Sequence, residues 1–264
     1  MVPKSLAAAI IATAFAATAN ARGGPTQVDA ELVLAVDISY SMDQEEQKLQ
    51  RAGYAAALTS ADFLSALRSG PLGKVAIAYM EWASSRDQKV LIDWTVIDGP
   101  EAAKTFTDKL MESPYRRASR TSVSGAIDAS MALFEGNGLD GIRRVIDISG
   151  DGPNNDGRLI TTARDDAIAA GVTVNGLPLL IRPVRAAFMD IEDLDLYYRD
   201  CVIGGPGSFM IPVRDTSAFI DATRTKLVME IAGLSPLPVV RVADKPAMSC
   251  TIGEDLWRRR FWGE

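Results

Sequence analysis

The sequence of 264 residues contains no histidine and only two cysteines. Imidazole is the most common general base at neutral pH and a common metal ligand, so its absence excludes Ser-His-Asp and Cys-His hydrolases and histidine-ligated zinc enzymes. Two cysteines are too few for a four-thiolate zinc site or an iron–sulfur cluster. What remains is the chemistry of carboxylates, hydroxyls and backbone groups, which are the ligands of hard cations such as Mg²⁺.

Basic residues are in the minority, with 28 Lys and Arg against 34 Asp and Glu and a net charge of −6. A nucleic-acid-binding protein would carry a basic face, so nucleic acid is not an expected partner. After the N-terminus no apolar stretch approaches the ~18–20 residues of a membrane-spanning helix, and we expect no stable membrane insertion. The length is sufficient for one large domain with a full core, alone or with a short appendage.

The N-terminal segment, residues 1–21, contains Lys4, an apolar run over 6–17 and an Ala-x-Ala arrangement that ends at Ala21. A basic start, a short apolar core and small residues at the end are typical of a secretory signal peptide. A membrane anchor is the alternative, although the apolar run is short for one. We therefore predict an exported protein, periplasmic or extracellular, in which residues 22–28 form a linker.

Export affects the interpretation of Cys201 and Cys250. In an oxidising compartment two cysteines most simply pair, and these two are too far apart in sequence for a CxxC redox motif. We predict a structural disulfide that ties a C-terminal tail, residues 235–264, to the main domain, residues 29–234. Two free buried thiols are the alternative.

Strand-like and helix-like segments alternate along residues 29–234. The continuous apolar run over 32–36 is typical of a strand buried on both faces of a parallel sheet. A short polar link joins the predicted strands 75–82 and 90–96, which indicates an antiparallel hairpin. The alternation predicts a doubly wound α/β domain with helices on both faces of a mostly parallel sheet.

The remaining elements follow from periodicity, caps and breaks. A capping box at Asp43 and Glu46 predicts the start of a long helix. Helices are expected over 43–67, 101–111, 122–134, 160–170, 194–201 and 216–232. Further strands are expected over 144–149, 172–180 and 209–213.

Polar side chains follow the first buried strand at Asp37, Ser39 and Ser41. In open α/β sheets ligands bind at the carboxyl edge of the strands, and these alternating side chains can turn towards one point there. All three supply oxygen donors, which suit Mg²⁺ better than a soft metal. Since Ser and Asp also favour turns and helix caps, the motif alone fits a structural turn as well.

Two further segments are predicted to lie at the same edge. Thr121 precedes a predicted helix, and Asp151 follows the strand over 144–149. If this strand is the neighbour of the first one, both loops converge on Asp37. One cation would then be offered two carboxylates and three hydroxyls, from Asp37, Ser39, Ser41, Thr121 and Asp151. Asn154 and Asn155 either orient the loop after Asp151 or form a plain polar turn.

These motifs, in this order, resemble a von Willebrand factor type A (VWA) domain with its metal-ion-dependent adhesion site (MIDAS). The matching residues are the DxSxS motif that begins at Asp37, then Thr121, then Asp151-Gly152, and the resemblance covers residues 29–234. It implies a six-stranded sheet in the order 3-2-1-4-5-6, with an antiparallel third strand at one edge. The surrounding stretches 145–155 and 199–207 resemble an uncharacterised group of exported bacterial proteins of this class.

The resemblance also implies a role for each site residue. Ser39 and Ser41 would bind the metal directly, Thr121 directly or through water, and Asp37 and Asp151 largely through water. One departure from the family is Tyr40, which stands where glycine is common and would narrow the mouth of the site.

This donor set favours binding over turnover. Neutral hydroxyls, with carboxylates partly behind water, leave a cation that prefers an additional anionic ligand. We therefore predict a non-enzymatic module that binds a divalent cation, Mg²⁺ first with Mn²⁺ or Ca²⁺ as alternatives, and through it an acidic side chain of a protein partner. Arg116, Arg117 and Arg120 lie beside Thr121 and either steer such a partner or form a solvated loop.

Two other functions stay open. The first is a structural module whose metal site is empty or purely stabilising. The second is a metal-assisted phosphohydrolase with Asp37 as nucleophile, although haloacid-dehalogenase-type enzymes place an acidic Asp where this chain has Ser39. The aromatic and basic end, residues 257–262, either contacts a membrane surface or a partner, or is a tail laid back on the domain.

Overall fold

The structure is a computed structural model in which residues 24–181, 191–234 and 247–263 are described. The predicted signal peptide, residues 1–21, and the first part of the predicted tail lie outside these ranges. Within them, no helix combines the length and the apolar character needed to span a bilayer.

The part of the chain that the structure describes contains seven strands. They are β1 (Thr26–Val28), β2 (Glu31–Asp37), β3 (Val75–Trp82), β4 (Gln88–Ile97), β5 (Leu139–Gly141), β6 (Arg144–Gly150) and β7 (Val172–Pro178). Five of them form the central sheet in the order β4-β3-β2-β6-β7, while β1 and β5 form a separate parallel pair. Only β4 runs antiparallel in the central sheet, where it is an edge strand. The mostly parallel sheet and the hairpin predicted from the sequence are confirmed.

The helices cover both faces of this sheet. Those in the described residues are α1 (Gln44–Leu58), α2 (Ala61–Ser69), α3 (Pro100–Glu112), α4 (Val123–Leu133), α5 (Ile160–Ala169), α6 (Leu194–Tyr197), α7 (Phe219–Ala232) and α8 (Ile252–Trp262). Leu32 and Leu34 of β2 pack in one apolar cluster with α1, α2, α3 and α7. Val33 and Ala35 pack in a second cluster with α4, α5 and α6. Alternate residues of one strand thus serve two cores, which explains its uninterrupted apolar sequence.

The extent predicted for the first long helix is wrong, although its start is right. The helix expected over 43–67 is divided into α1 and α2, because the Ser60 hydroxyl accepts a hydrogen bond from Phe63 N–H at 3.1 Å and starts a new helix. The capping box itself is present, with Asp43 and Glu46 bonded reciprocally at 2.8 and 2.9 Å.

The expected sixth strand, 209–213, forms only two isolated parallel bridges to the β7 side of the sheet, Met210 with Gly176 and Val213 with Leu179. The Phe209 N–H donates to the side chain of Asn175 at 3.0 Å rather than to a strand carbonyl. Ile211 N–H and Val213 N–H donate to the Gly176 and Pro178 carbonyls at 3.1 and 2.9 Å, but Pro178 has no N–H to donate in return, so the ladder is interrupted there. The segment therefore lies beside β7 without becoming a continuous strand.

The described part of the predicted C-terminal tail contains the helix α8, an element that was not predicted from the sequence. Cys201 and Cys250 form a disulfide with Cα atoms 5.4 Å apart, as predicted. Cys201 lies in a π-helical turn, Tyr198–Val202, that continues α6. The bond therefore joins the C-terminal segment, just before α8, to the face of the sheet covered by α4, α5 and α6.

A buried charge cluster lies between α7 and the sheet. Lys226, which has no exposed surface, pairs with Asp147 at 2.5 Å and with Glu230 through a short contact. Asn175 donates a hydrogen bond to Glu230 at 2.9 Å. Burial, together with the negative charge of Asp147, raises the pKa of Glu230 to about 7. Two acids thus share one lysine, and Glu230 gains a proton near neutral pH.

This cluster predicts a pH dependence of stability. Because the pKa of Glu230 is raised on folding, its contribution is fully present below the ordinary value of 4.5 and is lost as the pH rises through about 7. The free energy of unfolding should fall over this interval by on the order of 3 kcal/mol, at about 1.4 kcal/mol per pKa unit. Urea denaturation of the Glu230→Gln variant should show a flatter pH profile, whereas Glu112→Gln, at an exposed position, should follow the wild type. An unchanged profile in Glu230→Gln would contradict the assignment.

Candidate metal centre

The centre begins where β2 ends, at the carboxyl edge of the central sheet. Asp37 is the last residue of β2 and is completely buried. One carboxylate oxygen, Oδ1, accepts a hydrogen bond from Ser39 N–H at 2.7 Å, which closes a tight turn. The other oxygen, Oδ2, is buried without a hydrogen-bond partner. A buried carboxylate oxygen without a partner is costly, so this position favours a cation.

Hydroxyl groups connect this turn to the loop after β6. The Oγ atoms of Ser39 and Ser41 are 2.8 Å apart, and Ser41 Oγ donates to Asp151 Oδ1 at 2.6 Å. Strands β2 and β6 are direct neighbours, which brings the two loops together. The structure therefore places four of the five sequence-predicted residues, Asp37, Ser39, Ser41 and Asp151, in one connected group.

Thr121 reaches the same edge through its own loop. Ala118 N–H donates to the Ile38 carbonyl at 3.2 Å, which fixes the loop beside the turn after Asp37. Thr121 is 6% exposed, and its N–H donates to Asn155 Oδ1 at 3.0 Å. In return Asn155 N–H donates to the Thr121 carbonyl at 2.8 Å. This pair of hydrogen bonds holds Thr121 against the loop that carries Asp151.

The two asparagines after Asp151 orient these loops, which resolves the alternative left by the sequence. Asn154, which is fully buried, accepts a hydrogen bond from Ser124 N–H at 3.0 Å and so joins the Asp151 loop to the start of α4. Its own N–H donates to the Tyr197 hydroxyl at 3.1 Å. The hydrogen bonds of Asn154 and Asn155 reach residues that are distant in sequence, so they form only in the folded chain.

A buried arginine supports the other end of the Thr121 loop. Arg51 of α1 donates to the Pro114 carbonyl at 3.0 Å and, through a short contact, to the Ser113 carbonyl. It also pairs with Glu81 of β3 at 2.6 Å, and both side chains are buried. Because this residue satisfies backbone carbonyls as well as a carboxylate, it fixes where the loop leaves α3.

The electrostatics of the centre favour a bound cation. Burial raises the pKa of Asp37 well above its ordinary value, the charge of Asp151 raises it further, and the N–H of Ser39 opposes the shift. The pKa of the Tyr198 hydroxyl is also raised, by burial and then by the charges of Asp37 and Asp151. A divalent cation would relieve this repulsion between carboxylates.

Gly150 allows these groups to approach each other. A Cβ at this position would lie 3.0 Å from Asp37 Oδ2 and 3.0 Å from the Tyr198 hydroxyl oxygen. Such contacts are tighter than usual for a Cβ, so a side chain here would push Asp37 or Tyr198 away by a few tenths of an ångström, and space rather than backbone angles favours glycine. Neither Gly150 nor Tyr198 was singled out from the sequence; the only signal was that Gly150 directly precedes Asp151.

The residue types fit a hard cation. Carboxylate and hydroxyl oxygens are ligands that suit Mg²⁺, Mn²⁺ or Ca²⁺, and neutral hydroxyls leave part of the positive charge available to a further ligand. In the described ranges no group of three or more Cys, Asp or Glu side chains is arranged to hold a metal. A cation at this edge would therefore depend on Ser39, Ser41 and Thr121 as well as on the two carboxylates.

The helix α8 packs against both loops. Its Gly253 lies so close to the Asn154 carbonyl that a Cβ would be 1.9 Å from that oxygen. The next residue, Glu254, accepts a hydrogen bond from the Asn154 amide at 2.7 Å. Trp257 lies under the guanidinium of Arg120, with Cζ 3.3 Å from the ring centroid. The C-terminal segment is thus part of the wall around the candidate site.

A comparison with known protein families assigns this chain to one of them. The sequence profile of a family described as "Protein of unknown function (DUF1194)" matches residues 27–235. The chain belongs to the DUF1194 family. The resemblance to an uncharacterised group, inferred from the sequence, is thereby confirmed. A search of curated proteins gives no significant match to this DUF1194 member.

The fold of this DUF1194 member is similar to that of solved VWA-type structures. Proximal thread matrix protein 1 from the mussel byssus has 13% identity and a TM-score of 0.56 over 79% of this chain and 48% of that chain. The pilus adhesin SpaC from Lactobacillus rhamnosus GG has 12% identity and a TM-score of 0.59 over 80% and 32%. The von Willebrand factor type A protein from Catenulispora acidiphila has 15% identity and a TM-score of 0.52 over 77% and 43%.

These similarities confirm the VWA-like fold that the motifs implied. At such low identity they show the fold alone. The DUF1194 chain spans about half of the mussel protein and less of the other two. One structure of the mussel protein is described with a zinc-occupied MIDAS motif, at 14% identity, a TM-score of 0.53 and coverage of 80% and 49%.

Proposed function

We propose that this protein is an exported VWA-like module that binds a divalent cation and, through it, an acidic group on a protein partner. The cation ligands are Asp37, Ser39, Ser41, Thr121 and Asp151, and Mg²⁺ is the expected metal. The observation that carries the proposal is the buried Asp37 Oδ2 without a partner, close to a second carboxylate that hydroxyls hold in place.

The neighbouring folds support an interaction role. One of them is named a pilus adhesin and another a thread matrix protein, and the latter is known with zinc at its MIDAS motif. The disulfide between Cys201 and Cys250 supports an oxidising compartment and therefore export. Cleavage after Ala21 is tested by the mass of the protein recovered outside the cytoplasm.

Binding is favoured over catalysis by the groups that surround the centre. Ser39 stands where a phosphatase of the haloacid-dehalogenase type needs a second Asp, and its hydroxyl cannot serve as general acid at neutral pH. The pKa of the Tyr198 hydroxyl is raised, so it stays protonated at neutral pH and is a poorer proton donor, and no phenolate is present to act as a base. We therefore propose that the centre is not catalytic. Turnover of phosphate or ester substrates that is lost in an Asp37 variant would contradict this.

Removal of one ligating hydroxyl tests the cation site directly. In the Ser41→Ala variant the affinity for Mg²⁺ or Mn²⁺ should fall by about tenfold or more, since a ligand and the hydrogen bond to Asp151 are both lost. Isothermal titration of metal-stripped full-length protein measures the affinity. Ser69→Ala is the matched control, because this exposed hydroxyl in α2 bonds only to a backbone carbonyl of its own helix.

Partner capture distinguishes an interaction module from a purely stabilising metal site. Partners retained from the exported fraction by wild-type protein should be lost on chelation and restored by added cation. If the protein binds cations and gains thermal stability, while capture is the same with and without chelator, the structural alternative is correct.

A further inference from the structure

Two arginines of the loop that carries Thr121 each lie over an aromatic ring. The Cζ atom of Arg117 is 5.6 Å from the ring centroid of Tyr40, and that of Arg120 is 3.3 Å from the ring centroid of Trp257. Tyr40 stands between the two serines of the DxSxS motif, and Arg120 directly precedes Thr121. Both guanidinium groups are therefore attached to the loops that supply the proposed ligands.

The two guanidinium groups are held in position without a carboxylate. Arg117 also donates to the Tyr40 carbonyl, and Arg120 donates weakly to the Asn155 carbonyl at 3.4 Å. Arg120 has a left-handed backbone, with φ of 73°, which a non-glycine residue adopts only when its surroundings impose it. Among the described residues neither group has a carboxylate oxygen within ion-pair distance. Stacking leaves their N–H edges available to an external acid.

The third arginine of the loop is already used within the protein. Arg116 pairs with Asp87 at 2.5 Å and lies 3.6 Å from Glu81. Of the three arginines for which the sequence left open a steering role or a solvated loop, Arg116 is thus structural, Arg117 is exposed and Arg120 is half-buried. Tyr40, 62% exposed, serves as a platform for Arg117 in addition to bordering the site.

The two arginines specify the chemistry of the partner more closely than a bound cation alone would. A bound cation would accept one carboxylate, and each guanidinium can bind a further carboxylate through paired hydrogen bonds. Since the protein carries a net charge of −6, an acidic partner is repelled at long range, and its attraction must come from these local positive groups.

We propose that Arg117 and Arg120, together with the cation, form a surface that recognises an acidic peptide segment with at least two neighbouring Asp or Glu side chains. This inference rests on the proposed function. One carboxylate ligates the cation, and the neighbouring carboxylates bind the two guanidinium groups. Trp257 and Tyr40 hold those groups in place, so α8 contributes to specificity through Arg120.

Synthetic peptides test this surface. One contains a single Asp in a Gly/Ser background, and the other contains three consecutive Asp residues; binding to Mn²⁺-loaded full-length protein is measured by fluorescence anisotropy. The wild type should bind the three-Asp peptide about tenfold more tightly, as one or two charge-assisted pairs provide. Arg117→Ala should remove most of this preference and leave the affinity for the single-Asp peptide and for Mn²⁺ unchanged.

Further variants control for charge and folding. Arg68→Ala removes the same charge far from the site and should bind both peptides as the wild type does. Arg68 is exposed near the end of α2, which leads to the amino end of β3. Arg120→Lys keeps the charge without the planar stack on Trp257 and should keep only part of the preference.

The two levels of the proposal fail differently. If the wild type binds neither the cation nor any peptide in its presence, the proposed function is wrong, and the inference is overturned with it. If the cation and peptides bind, but the two peptides bind equally well or Arg117→Ala keeps the full preference, the inference alone is overturned.

Discussion

Replacement of Asp37 by Asn is expected to weaken cation binding strongly and, in the absence of cation, to raise the thermal stability of the protein. The carboxylate is fully buried, its Oδ2 has no hydrogen-bond partner, and Asp151 adds a second negative charge nearby. Asn keeps an oxygen that can accept the hydrogen bond from Ser39 N–H, so the turn is preserved while the charge is removed. Asp37→Asn is therefore expected to change cation binding and cation-free stability in opposite directions.

The direction of the stability change follows from the pKa of Asp37. Its pKa is raised on folding, first by burial and then by Asp151, so the stability that its protonated form confers is lost as the pH rises through the folded value. A neutral Asn does not lose this contribution. We expect a cation affinity at least about 100-fold lower, because a charged ligand is lost.

Two measurements check this result. Calorimetric titration with Mg²⁺ and Mn²⁺ gives the affinity, and thermal denaturation in excess chelator gives the stability of the cation-free protein. Asp140→Asn, at an exposed position in β5, is the matched control and should change neither. Wild-type affinity in Asp37→Asn would place the cation elsewhere, and a lower stability without cation would show that the carboxylate is favourably paired.

Loss of the disulfide is expected to lower the free energy of unfolding by about 4 kcal/mol, from the chain-entropy cost of a loop of this length. The cysteines are 49 positions apart, so their bond restricts a large part of the unfolded chain. The double variant Cys201→Ala/Cys250→Ala should also bind the cation less tightly. Without the bond, α8 is less firmly held against Asn154 and Arg120.

Guanidinium denaturation of oxidised wild type, reduced wild type and the double variant measures the effect. The reduced wild type should match the double variant, which separates the covalent bond from the packing of the removed sulfur atoms. A loss below about 1 kcal/mol would show that the contacts of α8, rather than the chain entropy of the loop, hold the C-terminal segment.

The grouping of Asp37, Ser39, Ser41 and Asp151 was largely predictable because these residues follow strand ends. The buried run before Asp37 and the strand before Asp151 mark neighbouring strands, and the carboxyl edge of a parallel sheet is where such residues meet. Convergence of Ser41 on Asp151 therefore follows from topology. The strands themselves were predictable because burial on both faces produces uninterrupted apolar runs.

Other features depend on contacts between distant residues, and the sequence pattern does not contain them. The break before α2 depends on one serine that caps a helix in a stretch without Pro or Gly. The role of Asn154 depends on Ser124, Tyr197 and Glu254, which come from three separate elements. The stacking of Trp257 under Arg120 joins residues far apart in the chain, so the aromatic and basic end gave no sign of which loop it would touch.

The disulfide also decides how a pulling force would pass through the molecule. Tension applied to the chain after Cys250 reaches Cys201 directly through the covalent bond, and the intervening segment, which includes α7, carries no load. Cys201 follows α6, whose Tyr197 hydroxyl is bonded to the N–H of Asn154 in the site loop. A partner held at the cation would therefore be connected to the C-terminal segment by a short mechanical path that leaves the buried Lys226 cluster unstretched.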